Sequence, residues 1–199
     1  GVPGGYCWGR WPIVPVLTGL ALWAAGPPVW RPPPNRSVAE GREVTQATAA
    51  AVVAAMGEEG ELAGLRLARG CRCFAAGAGE EVIAYGWLSS GAEWIGEIRL
   101  EIQPEPGEAY VWNCLTLPDH RLRGLFRALL VRISSVLREE GVRRLWIASG
   151  GGGGEPALPD AGFQPVLQLV ESSLGLAGLR LLRVTAIPGA DLRLVTAGR

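Results

Sequence analysis

Leu122, Leu125, Phe126, Leu129, Leu130, Ile133, Val136 and Leu137 recur at i, i+3, i+4 and i+7, a spacing that commits this run to an amphipathic helix of roughly five turns. Gly141 follows Glu139 and Glu140, where a left-handed cap ends a helix. Apolar strand patterns flank the helix at residues 108–117 and 144–149. A strand, a helix and a returning strand make a crossover, and a crossover needs a sheet with parallel neighbours and a helix on its face.

The remaining patterns build around that unit. Residues 36–45 read as a short strand, and 45–56 and 58–68 as helices, the second ended by Gly70. Residues 71–75 and 81–89 read as a hairpin turning at 77–79. Ile98, Leu100 and Ile102 alternate with Arg99 and Glu101 as in a half-buried strand, which would put Glu97 and Glu101 on one face. Further strand candidates are 165–170, 179–184 and 192–195. The sum is an α+β domain over residues 37–199, its sheet mixed, mostly antiparallel and flanked by helices.

Residues 1–36 differ, carrying Arg10, Arg31 and Arg36 and no acid. The apolar run 12–25 is shorter than the ~20 residues of a membrane span, and a Pro-rich stretch follows it. It reads as an N-terminal arm and linker: an arm packed on the domain, a membrane-surface anchor or a signal-like segment.

Composition removes several chemistries. All 19 cations are Arg, so a P-loop lysine and a Schiff-base lysine are both excluded. His120 is the only histidine, and the four cysteines form no CxxC pair, so no metal site is expected. Cys71 and Cys73 should share a sheet face as free thiols of a reducing compartment, with a redox pair as the alternative. A net charge of +0 offers no field for nucleic acid.

Chemistry concentrates in Leu115-Thr116-Leu117-Pro118-Asp119-His120-Arg121-Leu122-Arg123-Gly124-Leu125-Phe126. A strand stops at a proline, and a loop with Arg121 and Gly124 opens the long helix. Unpaired N–H groups and the positive dipole end would favour an anion there, with an ordinary strand-to-helix turn as the bland alternative. The run of five glycines at 150–154 lacks a following GK[ST] and reads as a flexible loop. His120 reads as part of an exposed turn, and Trp87, Trp94, Trp112 and Trp146 as core before ligand platform.

Thr116-x-Pro118-x-x-Arg121-x-x-Gly124-x-Phe126, with Ala161-Gly162-Phe163 downstream, resembles the GNAT superfamily, the GCN5-related N-acetyltransferases, over roughly residues 37–170. The resemblance implies a central β-α-β acyl-CoA-binding unit and a cytoplasmic N-acetyltransferase using acetyl-CoA or another acyl-CoA and no metal. Its acceptor would be a small-molecule or peptide amine that attacks the thioester directly. Cys114, Leu115, Thr116 and Leu117 would flank the pantetheine, and Arg121, Leu122, Arg123, Gly124, Leu125 and Phe126 the pyrophosphate, with the Leu115 amide at the oxyanion. Phe126 stands where the family motif has Gly or Ala, and Leu158 where a tyrosine commonly serves as thiolate acid. A catalytically weak acyl-CoA-binding or sensing domain is therefore the alternative, beside a membrane-peripheral acyltransferase; a homodimer also stays open.

Without Lys, amine activation falls to a carboxylate. Glu97, Glu101 and Glu108 lie near the strands bordering the expected cleft, with a solvated charged face as the bland reading. Glu97 is the choice, because Trp94 and Ile95 would wall it and raise its pKa. Tyr110, two residues after Glu108, stands where relatives often place a base.

Overall fold

A computed structural model describes residues 16–26, 41–44, 49–78, 81–150, 154–174 and 179–188. In chain order the elements are β1 (Val16–Ala25), β2 (Gly41–Val44), α1 (Ala49–Met56), α2 (Leu62–Ala68), β3 (Arg72–Ala78), β4 (Glu81–Ser89) and the short pair β5 (Glu93–Ile95) and β6 (Leu100–Ile102). They continue as β7 (Glu108–Thr116), α3 (Leu125–Glu139), β8 (Arg144–Ser149), α4 (Ala157–Asp160), β9 (Gln164–Leu174) and β10 (Leu179–Ala186). A 3-10 turn, Gly57–Glu61, joins α1 to α2. The eight long strands form one sheet in the order β10-β9-β1-β8-β7-β4-β3-β2. Only β7 and β8 run parallel, joined by α3; the other pairs are antiparallel. This is the α+β architecture expected from the sequence.

The apolar face of α3 packs on one side of the sheet, where Leu129, Leu130, Ile133 and Leu137 meet Phe74, Leu88, Val111 and Leu145. Gly141, at φ +82°, ends the helix as anticipated, and the Val142 N–H closes on the Leu137 carbonyl at 2.9 Å. On the opposite face α1 and α2 cover Cys73, Ala75 and Trp87, while Ile95 and Ile98 of the β5–β6 hairpin cover Tyr110 and Trp146. Cys71 and Cys73 do share a face, both buried and both free thiols.

Two expectations change. The sequence reading set residues 1–36 apart from the domain, but Val16–Ala25 lies inside the sheet, antiparallel to β8 on one side and β9 on the other. Its alternation explains the fit: Trp23 and Ala25 point into the α3 core, Leu22 and Ala24 into the opposite one. An apolar run buried on both faces thus reads like an anchor while being a central strand. The expected strand through Ile98 is instead a turn over residues 96–99, with Arg99 at φ +48°, so Glu97 and Glu101 do not share a strand face. Pro156 and Pro159 leave one helical turn, α4, whose Leu158 is buried in the core. The proposed strand at 192–195, the Pro-rich linker, Cys7 and the glycines at 151–153 lie outside the described residues. No helix among the described residues is long and apolar enough to cross a membrane.

Candidate active site

Strands β7 and β8 pair only from Glu108↔Arg144 to Val111↔Ile147. Beyond that point they part: Ala148 and Ser149 pair with β1, while Leu115 and Thr116 pair with Tyr85 and Ala84 of β4. The gap opens into a cavity of about 1260 Å³ lined by Trp112–Thr116 on one wall and by residues 147–150 on the other.

A bulge in β7 shapes the gap. From Trp87↔Trp112 to Tyr85↔Leu115, β4 spends one intervening residue, Gly86, and β7 two, Asn113 and Cys114. Asn113 takes up the extra residue at φ +44°, a left-handed conformation that Asn tolerates better than most side chains. Gly86 is required opposite it, because a Cβ there would stand 2.9 Å from Cys114 Sγ. Burial of that thiol pushes its pKa up to about 12, so Cys114 is a neutral filler and no nucleophile near neutral pH.

At one end of the cavity the chain enters α3 through Leu122, at φ +62°, and Gly124, at φ +75°. No side chain caps the helix start, and the N–H groups of residues 122–126 meet no acceptor among the described residues. A concentration of free donors beside a helix N-terminus is a place for an anion. Arg121 Nε donates to the Thr116 carbonyl at 3.1 Å, tying the loop to the end of β7. Phe126, the departure from the family motif, packs in part against the main core, and a Cβ on Gly154 would stand 3.0 Å from its ring.

Of the residues assigned to the cofactor from sequence, Cys114, Leu115, Thr116, Arg121, Leu122, Gly124, Leu125 and Phe126 line this cavity. Leu117 and Arg123 are not in its wall; the Leu117 N–H instead donates to the Ile83 carbonyl at 2.9 Å, and Arg123 is exposed. Glu97 and Tyr110 also line the cavity, as do Trp94 and His120. Glu97 is exposed, since Trp94 stands 61% open to solvent and supplies no enclosing wall. Tyr110 is buried, and burial first, then the charge of Glu97, drives its pKa upward, so it is a neutral phenol. Glu108 cannot act as a base in the cleft: it is buried, bonded to Arg144 and to the Trp146 indole.

Three side chains in this wall escaped the sequence reading. Arg66 of α2 is buried with its guanidinium 4.6 Å from the Trp112 ring centroid and 5.2 Å from that of Trp87. It donates to Asn113 Oδ1 at 3.2 Å and to Glu59 Oε2 at 3.0 Å. Asn113 Nδ2 donates to the same Glu59 oxygen at 3.1 Å. The sequence signals were a lone Arg in the apolar run LAGLRLA and a lone Asn in YVWNCL. No group of three or more potential metal ligands converges among the described residues.

The family model for the GNAT acetyltransferases matches residues 36–152, from the segment leading into β2 to the end of β8. Comparison with curated proteins gives no match. Among solved structures, an acetyltransferase of the GNAT family from Colwellia psychrerythraea superposes with a TM-score of 0.58 at 14% identity, covering 79% of this chain and 56% of that one. A GCN5-related N-acetyltransferase from Sphaerobacter thermophilus gives 0.55 at 16%, covering 88% and 54%. Another from Kribbella flavida gives 0.51 at 15%, covering 90% and 61%. At these identities the likeness is one of fold, and the chain spans less than two thirds of the length of each. With more than half its residues matched by the family model, and with β7 and β8 parting over an uncapped helix start, the chain belongs to the GNAT acetyltransferase family.

Proposed function

We propose that the protein is an acyl-CoA-dependent N-acyltransferase that moves acetyl from acetyl-CoA to a primary amine by direct attack. The observation that carries this reading is the parting of β7 and β8 beside the free amides of residues 122–126. Those amides, with Arg121 and Gly124, hold the pyrophosphate. The pantetheine lies along residues 114–116, and its thioester reaches the gap between the strands.

The acceptor must lose a proton before its nitrogen is a nucleophile. Glu97, which lines the same cavity, takes that proton, directly or through water. Tyr110, neutral and buried in the cavity wall, has its phenol O–H to offer the acceptor as a donor. The Leu117 N–H donates to β4, so the Leu115 N–H two residues earlier faces β4 as well. The donor for the oxyanion that forms as nitrogen adds to the carbonyl therefore comes from the gap side of β7, at Cys114 or Thr116. As that adduct collapses the nitrogen gives its remaining extra proton to water, the amide forms, and the expelled CoA thiolate takes its proton from water, since buried Leu158 offers none.

Leu158 also favours a second reading, in which the domain binds acyl-CoA without turnover. Thiol release from acetyl-CoA over a panel of amines, beside calorimetric titration with CoA, separates the two. Release with any amine supports the enzyme; tight binding with no release supports the second reading; absence of CoA binding overturns both.

A further inference from the structure

Glu59 is a carboxylate with a fixed half and a free half. Both clamping bonds, from Arg66 and from Asn113, fall on Oε2. Among the described residues Oε1 has no hydrogen-bond partner, and the side chain is 53% exposed in the wall of the large cavity. The clamp is itself rigid: Asn113 is locked in the β7 bulge, and Arg66 is held over two indole rings. Burial of Arg66 accounts for one carboxylate oxygen beside it. It makes no use of the other, which neither clamping bond reaches.

Glu97 lines the same cavity, as do the apolar side chains of Leu62, Trp94 and Trp112. Glu59 and Glu97 set two carboxylates against the one buried guanidinium of Arg66, whereas the start of α3 presents free amides and Arg121, with Arg127, Glu155 and Asp160 also in the lining. The two groups therefore suit opposite partners, a cationic acceptor and an anionic cofactor. One carboxylate suffices for the reacting nitrogen.

We propose that Glu59 is a specificity-determining residue that binds a second positive charge on the acceptor. The substrate class is then an amine carrying another cationic group across an apolar spacer, as in an α,ω-diamine. The spacer lies against Trp94 and Leu62, and Arg66 and Asn113 act as positioning residues. This inference rests on the N-acyltransferase reading for the identity of the cavity.

The test compares 1,5-diaminopentane with pentylamine on the full chain, by acetyl-transfer kinetics and, independently, by calorimetry without CoA. The expected result is a KM and a Kd at least ~10-fold lower for the diamine, with Glu59→Gln bringing both ratios close to one. Gln keeps a carbonyl oxygen for Arg66 and Asn113, so a purely structural role for Glu59 would leave the ratios unmoved. Equal affinity for the two amines in the natural protein overturns the proposal without any variant, as does a preference that survives in Glu59→Gln. A Glu59-dependent diamine preference in calorimetry with no acetyl transfer would sustain this inference and sink the transferase reading. Acetyl transfer without the preference would do the reverse.

Discussion

Glu108 and Arg144 are register partners across the parallel β7–β8 pair, and their side chains close at 2.6 Å with both residues buried. The second oxygen of Glu108 accepts the Trp146 indole N–H at 2.7 Å. The pair sits at the root of the cleft, where the strands are still joined, and holds that root shut. Glu108→Ala leaves the Arg144 charge buried without this partner, a loss of about 3–5 kcal/mol. Denaturant titration should show it as a lowered midpoint, and a loss under 1 kcal/mol would contradict the buried pairing.

Glu97 carries the opposite expectation. It is exposed in a turn outside the main sheet, so Glu97→Gln should leave the melting temperature within about a degree. Its loss as the base lowers kcat by ~10²–10⁴-fold with acetyl-CoA affinity unchanged. An unchanged kcat would leave deprotonation to water.

Gly124 tests the anion site. A Cβ there would meet nothing within 4 Å, but its φ of +75° is left-handed. Gly124→Ala therefore costs about 1–2 kcal/mol in backbone conformation, and its methyl group enters the space before the helix start. Calorimetry should show acetyl-CoA affinity reduced ~10-fold, about 1.4 kcal/mol. An identical titration in a folded variant would remove the phosphate from this loop.

Alkaline stability follows from three buried protons. Burial pushes the Cys73 and Cys114 thiols up from 9.0 to about 12, and raises Tyr110 above 10.0. Unfolded, these groups ionise near their ordinary values, so above pH about 9 the unfolded chain binds fewer protons than the native one. Stability is then whole below pH about 9 and declines as pH rises toward 12. Urea midpoints measured across that range should fall, and fall less in Cys73→Ala and Cys114→Ala; a flat profile would contradict the burial of the thiols.

β1 supplies the last prediction. Ala24 is 0% exposed, opposite Trp146 on β8 and Gln164 on β9. Ala24→Asp would bury an unpaired carboxylate, and deletion of residues 1–26 would leave β8 and β9 facing each other across a missing strand. Both changes should abolish cooperative thermal unfolding. A cooperative melt of the truncated chain would show β1 to be dispensable.

The parts legible in the sequence are those where local pattern and tertiary role agree. The α3 stripe, its Gly141 cap and the strands around it follow from spacing alone, because one face of each meets the core. β1 escaped because strand partners remote in sequence leave no local trace, and an apolar run buried on both faces has no alternation to read. The Glu59–Arg66–Asn113 clamp escaped for a related reason. Its members come from the 3-10 turn, α2 and β7, and only the bulge at Asn113 turns the three toward one another.

The placement of β1 also sets an order of events at the ribosome. Val16 ends up opposite Ser173, and Ala25 opposite Leu145, so this strand is made well before both its partners and seated late. At about 5–20 residues per second, its partners follow on the order of ten seconds behind. For that interval an apolar segment waits unpaired while α1 to β8 are still being made. The nascent chain is then most exposed to aggregation, or to capture by a holdase, at the very stretch that completes the finished sheet.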